Sequence, residues 1–150
     1  MLFTEERVLF SSKKEFQFFG TPAKLADELV SRANISEFHK ILEPSAGQGD
    51  IIDAITRDVP TVLVDYCELM DINANILSNY SNGRIICNDF LKIPSQYTEY
   101  YDRIIANPPF NKNQDIDHIE KMYHCLKVGG RLVSIASKSW SFGSQKKQVS

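Results

Sequence analysis

Asn107-Pro108-Pro109-Phe110 ends an apolar run, Ile104-Ile105-Ala106, with two restricted residues set between an amide and an aromatic ring. Proline fixes its own φ and restricts the residue before it, so this corner is stiff. A stiff corner can aim the Asn107 side-chain oxygen and the Pro108 carbonyl at one point. Two converging acceptors suit an –NH2 group, which has two protons to give. Phe110 can stack on the flat ring that carries such an amine. The stretch reads as a socket for a planar amine, with a rigid turn and aromatic plug as the plainer alternative.

Two further loops carry candidate binding residues. Glu43-Pro44-Ser45-Ala46-Gly47-Gln48-Gly49-Asp50 places two glycines between an apolar pair and a helical pattern. Such glycines let backbone approach a ligand closely. The spacing is G-x-G, without the third glycine of the dinucleotide fingerprint, so the loop alone is not specific. Glu68 lies 19 residues past Gly49, where a carboxylate can take both hydroxyls of a ribose. Asp65 is the alternative, because strand ends are read from sequence only to within a few residues. Asn88-Asp89-Phe90-Leu91 pairs a carboxylate with an aromatic. Asp89 can accept from an adenine amino group while Phe90 covers the ring. A helix cap followed by a core Phe is the other reading.

These loops need elements to hold them. Thr21-Pro22 opens a helix, with Thr as N-cap and Pro at the first helical position. Leu25, Leu29 and Ala33 follow at helical spacing. From Ile41 onward strands and helices alternate. Ile41-Leu42, Thr61 to Val64, Arg84 to Cys87, Tyr101 to Ala106 and Arg131 to Ala136 read as strands. Ile51 to Ile55, residues 69–80 (Ile72, Ile76, Leu77 and Tyr80 on one side) and Ile116 to Leu126 read as helices, the last closed by Gly129-Gly130. The alternation predicts an α/β fold, a doubly wound and mainly parallel sheet covered on both faces. Ligands of such sheets bind beyond the carboxyl ends of the strands, where all the candidate loops fall.

Bulk composition narrows the field. The chain has 150 residues, enough for one domain with a core, and a net charge of −2. That charge is unlike a generic nucleic-acid binder. Residues 41–111 carry 4 basic and 10 acidic side chains (net −6), whereas 112–150 carry 7 basic and 3 acidic (net +4). The basic segment 138–150 is placed to face phosphate or to be a solvated tail. Cys67, Cys87 and Cys125 are widely spaced and odd in number, which points to reduced, buried thiols in a cytosol. His39, His118 and His124 have no metal-ligand spacing, and no metal is expected. No apolar run approaches membrane-spanning length, and the N-terminus lacks a signal pattern.

Taken in order, the motifs resemble those of the S-adenosylmethionine-dependent amino-methyltransferases, and among them the DNA adenine-N6 methyltransferases. Phe19-Gly20-Thr21-Pro22 resembles their N-terminal cofactor motif, Glu43 to Gly49 their glycine loop, Asn88-Asp89-Phe90 their adenine-binding segment, and Asn107 to Phe110 their catalytic tetrad. The resemblance spans roughly residues 16–140 and implies a Rossmann-like sheet of the class I methyltransferase type. It implies that Thr21 and the backbone of Ser45, Ala46, Gly47 and Gly49 hold the methionine part of S-adenosylmethionine, with Glu43 supporting the loop and Phe19 and Pro22 also at the cofactor. Glu68 would bind the ribose, and Asp89 and Phe90 the adenine. Asn107 and Pro108 would bind the target amine, Pro109 would stiffen the corner, and Phe110 would stack on the target base. S-adenosylhomocysteine would be the product.

The tetrad is specific for methylation of a planar nitrogen, not for DNA. An RNA base and a protein glutamine are the alternative targets, and a non-catalytic cofactor-binding subunit is a third reading. In the family a helix, a strand pair and a target-recognition region follow strand five, whereas here only residues 137–150 remain. The reading is therefore one catalytic domain over 1–150: a cofactor motif and helix to residue 40, a β/α core over 41–137 and a basic tail from 138. An exposed sheet edge after strand five predicts self-association or a partner chain. Trp140 is a candidate for the target pocket or for the core. The resemblance places the protein in the cytoplasm of a bacterial or phage-infected cell, within restriction-modification, phage protection or regulation.

Overall fold

A computed structural model describes residues 6–10, 20–109 and 114–136. Along the chain come strand β1 (Glu6–Phe10), helix α1 (Ala23–Ala33), β2 (Ile41–Glu43), α2 (Asp50–Asp58), β3 (Val64–Cys67), α3 (Asp71–Leu77), β4 (Gly83–Cys87), β5 (Tyr101–Ala106), α4 (Gln114–Cys125) and β6 (Leu126–Ala136). Two single 3-10 turns, Phe90–Lys92 and Ser95–Tyr97, lie between β4 and β5. The strands form one sheet in the order β1-β6-β5-β2-β3-β4, and every pairing is parallel.

Successive strand residues point to opposite faces, and both faces are covered. Ile41, Val64, Tyr66, Ile105, Val133 and Ile135 face one core with α1, α2 and Leu77 of α3. Leu42, Cys67, Ile104, Leu132 and Ala136 face the other, with Ile119, Met122 and Cys125 of α4. Helix α1 buries Ala26, Leu29, Val30 and Ala33, one face of a 3.6-residue repeat. Helix α2 buries Ile51, Ile52, Ala54 and Ile55. An ion pair, Arg57 to Asp27 at 2.7 Å, links the two helices. Each fully buried Leu or Ile contributes about 1.5–3 kcal/mol, against ~0–1 kcal/mol for an exposed pair. The apolar faces therefore fix the docking.

Several elements differ from the sequence expectation. Thr21 does not cap α1; Pro22 stands at the cap position without a side-chain cap bond. The third strand runs Val64–Cys67, not from Thr61, and Leu63 is exposed. The strand holds a charged residue, Asp65, which is nearly buried because Arg84 and the Tyr101 hydroxyl satisfy it. Helix α3 is shorter than 69–80, and Ile72 and Ile76 are exposed, leaving Leu77 as its buried residue. Gly129 and Gly130 do not close α4; they lie within β6, where the register with β5 shifts between Tyr101 and Arg103. The edge expected beyond the fifth strand of the alternating core is taken by β1, which pairs with β6 from Glu6↔Leu132 to Phe10↔Ala136.

Candidate active site

Parallel pairing brings all the strands' carboxyl ends to one side. The sheet order then sets the loops in a row: Asn107 after β5, the glycine loop after β2, Glu68 after β3 and Asp89 after β4. The connections run in opposite directions on either side of β2 and β5, which makes that junction the switch point.

The glycine loop is built around left-handed backbone. Gly47 has φ +58° and Gly49 φ +100°, conformations that side chains disfavour. Gly47 faces open space, whereas a side chain at Gly49 would run into the Tyr80 ring. Three anchors hold the loop. Ala46 donates its N–H to the Cys67 carbonyl at 3.0 Å. Ser45 donates its N–H to Glu43 Oε2 at 2.7 Å. Gly47 donates its N–H to Glu68 Oε1 at 2.7 Å.

Glu68 is nearly buried and holds a second element as well. Its Oε2 accepts from the Met70 N–H at 2.9 Å and from Asn73 Nδ2 at 3.4 Å, at the start of α3. A carboxylate offers about four lone-pair positions, so this one retains capacity for a ligand hydroxyl. The alternative, Asp65, lies inside β3 and is occupied by Arg84 and Tyr101, away from the strand end.

Glu43 is buried beneath the loop. Loss of hydration above all, opposed by the Ser45 N–H and aided by nearby Glu68 and Asp50, pushes its carboxyl up to about 8. Asp50, Glu68 and Asp89 give this end of the sheet an acidic lining, above a Glu43 that burial keeps protonated.

Asn107 is tied to two of these segments. Its Nδ2 donates to Thr21 Oγ1 at 3.1 Å, and its carbonyl oxygen lies 3.5 Å from Ser45 Oγ. Thr21 is buried, and its own N–H donates to Asp50 Oδ2 at 2.9 Å. Pro22 is exposed just beyond, Pro108 is buried and Pro109 half-buried. Phe19 and Phe110 lie outside the described residues, as do Trp140 and the basic segment 138–150.

At β4 the structure adopts the plainer arrangement. Asp89 Oδ1 accepts from the Leu91 N–H at 3.0 Å, capping the 3-10 turn. Phe90 is buried in the core, its ring tilted against His118 at 5.6 Å. The expectation of an open Phe90 ring is thereby corrected. Asp50, Asn73 and Tyr80 were not singled out by sequence. Asp50 reads as an ordinary acid in the first turn of a helix, where the dipole favours it. Tyr80, whose hydroxyl donates to the Gln48 carbonyl at 3.3 Å, reads as helix-face packing.

No family model matches the chain. An rRNA adenine N-6-methyltransferase of Bacillus licheniformis is 30% identical over 89 residues, which is 58% of this chain and 30% of that protein. The Type II methyltransferase M.HincII of Haemophilus influenzae is 28% identical over 109 residues, 70% of this chain and 19% of that protein. The chain thus spans under a third of the curated relatives it matches. TrmN from Thermus thermophilus superposes with a TM-score of 0.65 at 23% identity, covering 84% of this chain and 40% of that one. The fold is that of the class I S-adenosylmethionine-dependent methyltransferases, with β2 to β6 as its parallel core.

Proposed function

We propose that this chain binds S-adenosylmethionine across the carboxyl ends of β5, β2, β3 and β4 and transfers its methyl group to the N6 amine of adenine in DNA. The observation that carries the reading is Asn107, held by Thr21 at the switch point beside the glycine loop. The donor set fits the cofactor. A cationic ligand suits the acidic lining, Glu68 retains acceptor capacity for a ribose hydroxyl, and the Gly47 side of the loop is open to close approach. Thr21 and Ser45 to Gly49 would hold its methionine part, and Asp89 its adenine.

When bound, S-adenosylmethionine supplies an electrophilic methyl group and leaves as S-adenosylhomocysteine. The chain's part is to prepare the acceptor. An exocyclic amine is a poor nucleophile because its lone pair is delocalised into the ring. Asn107 Oδ1 and the Pro108 carbonyl accept its two protons in hydrogen bonds, which raises electron density on nitrogen and favours a tetrahedral geometry. Phe110 stacks on the base. Catalysis by alignment and fixed dipoles then needs no covalent intermediate. In a duplex the base is first extruded, at a few kcal/mol.

Adenine in RNA is the second reading, favoured by the name of the Bacillus licheniformis relative. Calorimetric titration with S-adenosylmethionine, with NAD as control, tests the cofactor assignment. Labelled methyl transfer to DNA, RNA and protein preparations separates the targets. Selective cofactor binding with label in DNA as N6-methyladenine is the expected result. Label in RNA alone replaces the target, and failure to bind the cofactor overturns the reading.

A further inference from the structure

Cys67 and Cys87 end two neighbouring strands and are partners in the β3–β4 register, at the point where it becomes irregular. Their sulfurs lie 2.9 Å apart, and both thiols are free. Adjacent strands run about 4.8 Å apart, inside the Cα separation that a disulfide accepts. No thiol takes part in the methyl transfer proposed above. Yet the pair lies directly beneath the binding loops. Glu68 follows Cys67, and Asp89 comes two residues after Cys87. The Cys67 carbonyl also accepts the Ala46 N–H that anchors the glycine loop.

We infer that Cys67 and Cys87 are an oxidisable pair that a peroxide closes to a disulfide, and that this closure weakens cofactor binding. The weakening rests on the proposed cofactor site; the cross-link itself does not. Cys87 is the half-buried member and meets the oxidant, while Cys67 is fully buried behind it. The Cys87 thiolate attacks one peroxide oxygen, the O–O bond breaks, and Cys87 becomes a sulfenic acid. The Cys67 sulfur then attacks the Cys87 sulfur and displaces the hydroxyl group. Two thiols and one hydrogen peroxide give one disulfide and two waters, both thiol protons ending in water. Burial raises both thiol pKa values, so the pair stays protonated at neutral pH and responds to sustained peroxide rather than a brief pulse. Closure draws Cys67 toward β4. The adjustment falls at the irregular register position whose carbonyl holds the Ala46 N–H and whose neighbour Glu68 holds the Gly47 N–H, so strain from closure reaches the glycine loop first.

The test uses the reduced chain, treated with hydrogen peroxide and then alkylated after unfolding. Alkylatable thiols are expected to fall from three to one, with the mass lower by two hydrogens and the Cys67 and Cys87 peptides joined in a non-reduced digest. S-adenosylmethionine affinity by calorimetry is expected to fall by about an order of magnitude and to return with dithiothreitol. The Cys87→Ser variant is expected to keep its affinity through the same treatment. Three persistent thiols, or a link through Cys125, would overturn the pairing. An oxidised chain that binds as the reduced chain does would overturn the coupling to the loops. If the reduced chain binds no cofactor, the function proposed above fails, and the mass measurement still decides the cross-link.

Discussion

The Asn107 amide donates through Nδ2 to Thr21 Oγ1 at 3.1 Å, across 86 residues of chain. With the Thr21 hydroxyl accepting, the bond commits the NH2 end of the amide and turns Oδ1 away from Thr21. A carboxamide turned over by half a rotation would present its NH2 where an acceptor is needed. Thr21 in turn is held through its own N–H by Asp50 at the start of α2. The orientation of Asn107 is thus set from two segments outside its own loop.

Thr21→Val removes the hydroxyl at nearly constant shape and frees the amide to turn. Loss of about 1 kcal/mol of orientation corresponds to a fall in kcat of roughly fivefold. Thr21→Ser keeps the acceptor and should recover most of the rate. Steady-state methylation kinetics on the proposed DNA substrate check both.

Asn107→Ala deletes the acceptor proposed for the target amine. Methyl transfer should become undetectable while S-adenosylmethionine affinity stays within a few-fold. Calorimetry alongside a labelled-methyl assay reads the two effects separately, and an active variant would refute the catalytic role.

Glu68 links the glycine loop to α3 through the Gly47 and Met70 N–H groups. Glu68→Ala leaves those donors without their acceptor and removes the proposed ribose partner. Cofactor affinity should drop by about tenfold or more, since hydrogen bonds to charged groups are worth ~1.5–3 kcal/mol. Glu68→Gln keeps one acceptor oxygen and should fall between wild type and Ala in the same titration.

Glu43 gives a pH signature. Its carboxyl is raised from 4.5 to about 8 in the folded chain, so the folded state holds the proton more tightly than the unfolded one. Its contribution to stability is complete below the unfolded value of 4.5, declines as pH rises and is lost above about 8. At about 1.4 kcal/mol per unit, the change amounts to a few kcal/mol. Urea midpoints should fall between about pH 5 and about pH 8 in the wild type. In Glu43→Gln, whose side chain stays neutral and can still accept from Ser45, that decline should largely vanish.

The two loop glycines should part company on substitution. Gly47→Ala meets open space and carries only the left-handed backbone penalty, about 1–2 kcal/mol. Gly49→Ala adds a collision with Tyr80 and should lower the thermal midpoint clearly more. Thermal melts of the two variants, compared side by side, decide this.

The parts of the fold visible in sequence are those where local pattern and tertiary role agree. Tyr101 to Ala106 reads as a strand because its buried positions are apolar, and it is one from end to end. The third strand departs from the sequence pattern because Thr61 to Val64 is the β-branched stretch, whereas the actual strand tolerates Asp65 only through partners 19 and 36 residues away. No local pattern announces such partners. The candidate site divides in the same way. Asn107, Glu68 and the glycine loop were legible as residues that punctuate strand ends. The Thr21–Asn107 bond, the Asp50 anchor and the Cys67–Cys87 approach depend on how distant segments align, and register is not written in spacing. Phe90 shows the converse: an aromatic beside a carboxylate suggests a ligand, yet here the core claims the ring.

The seating of β1 against β6 bears on the order of assembly. Glu6 aligns with Leu132 and Phe10 with Ala136, so the strand made first has its only ladder on the strand made last among the described residues. As the chain is synthesised, β1 waits until some 120 residues have followed it, and closing so long a loop slows folding. The β2 to β5 strands, which carry the candidate loops, can pair before then. A nascent chain would thus have its ligand-binding side in place while its opposite margin is still open. Displacing β1 should open that margin sooner than it disturbs the loops.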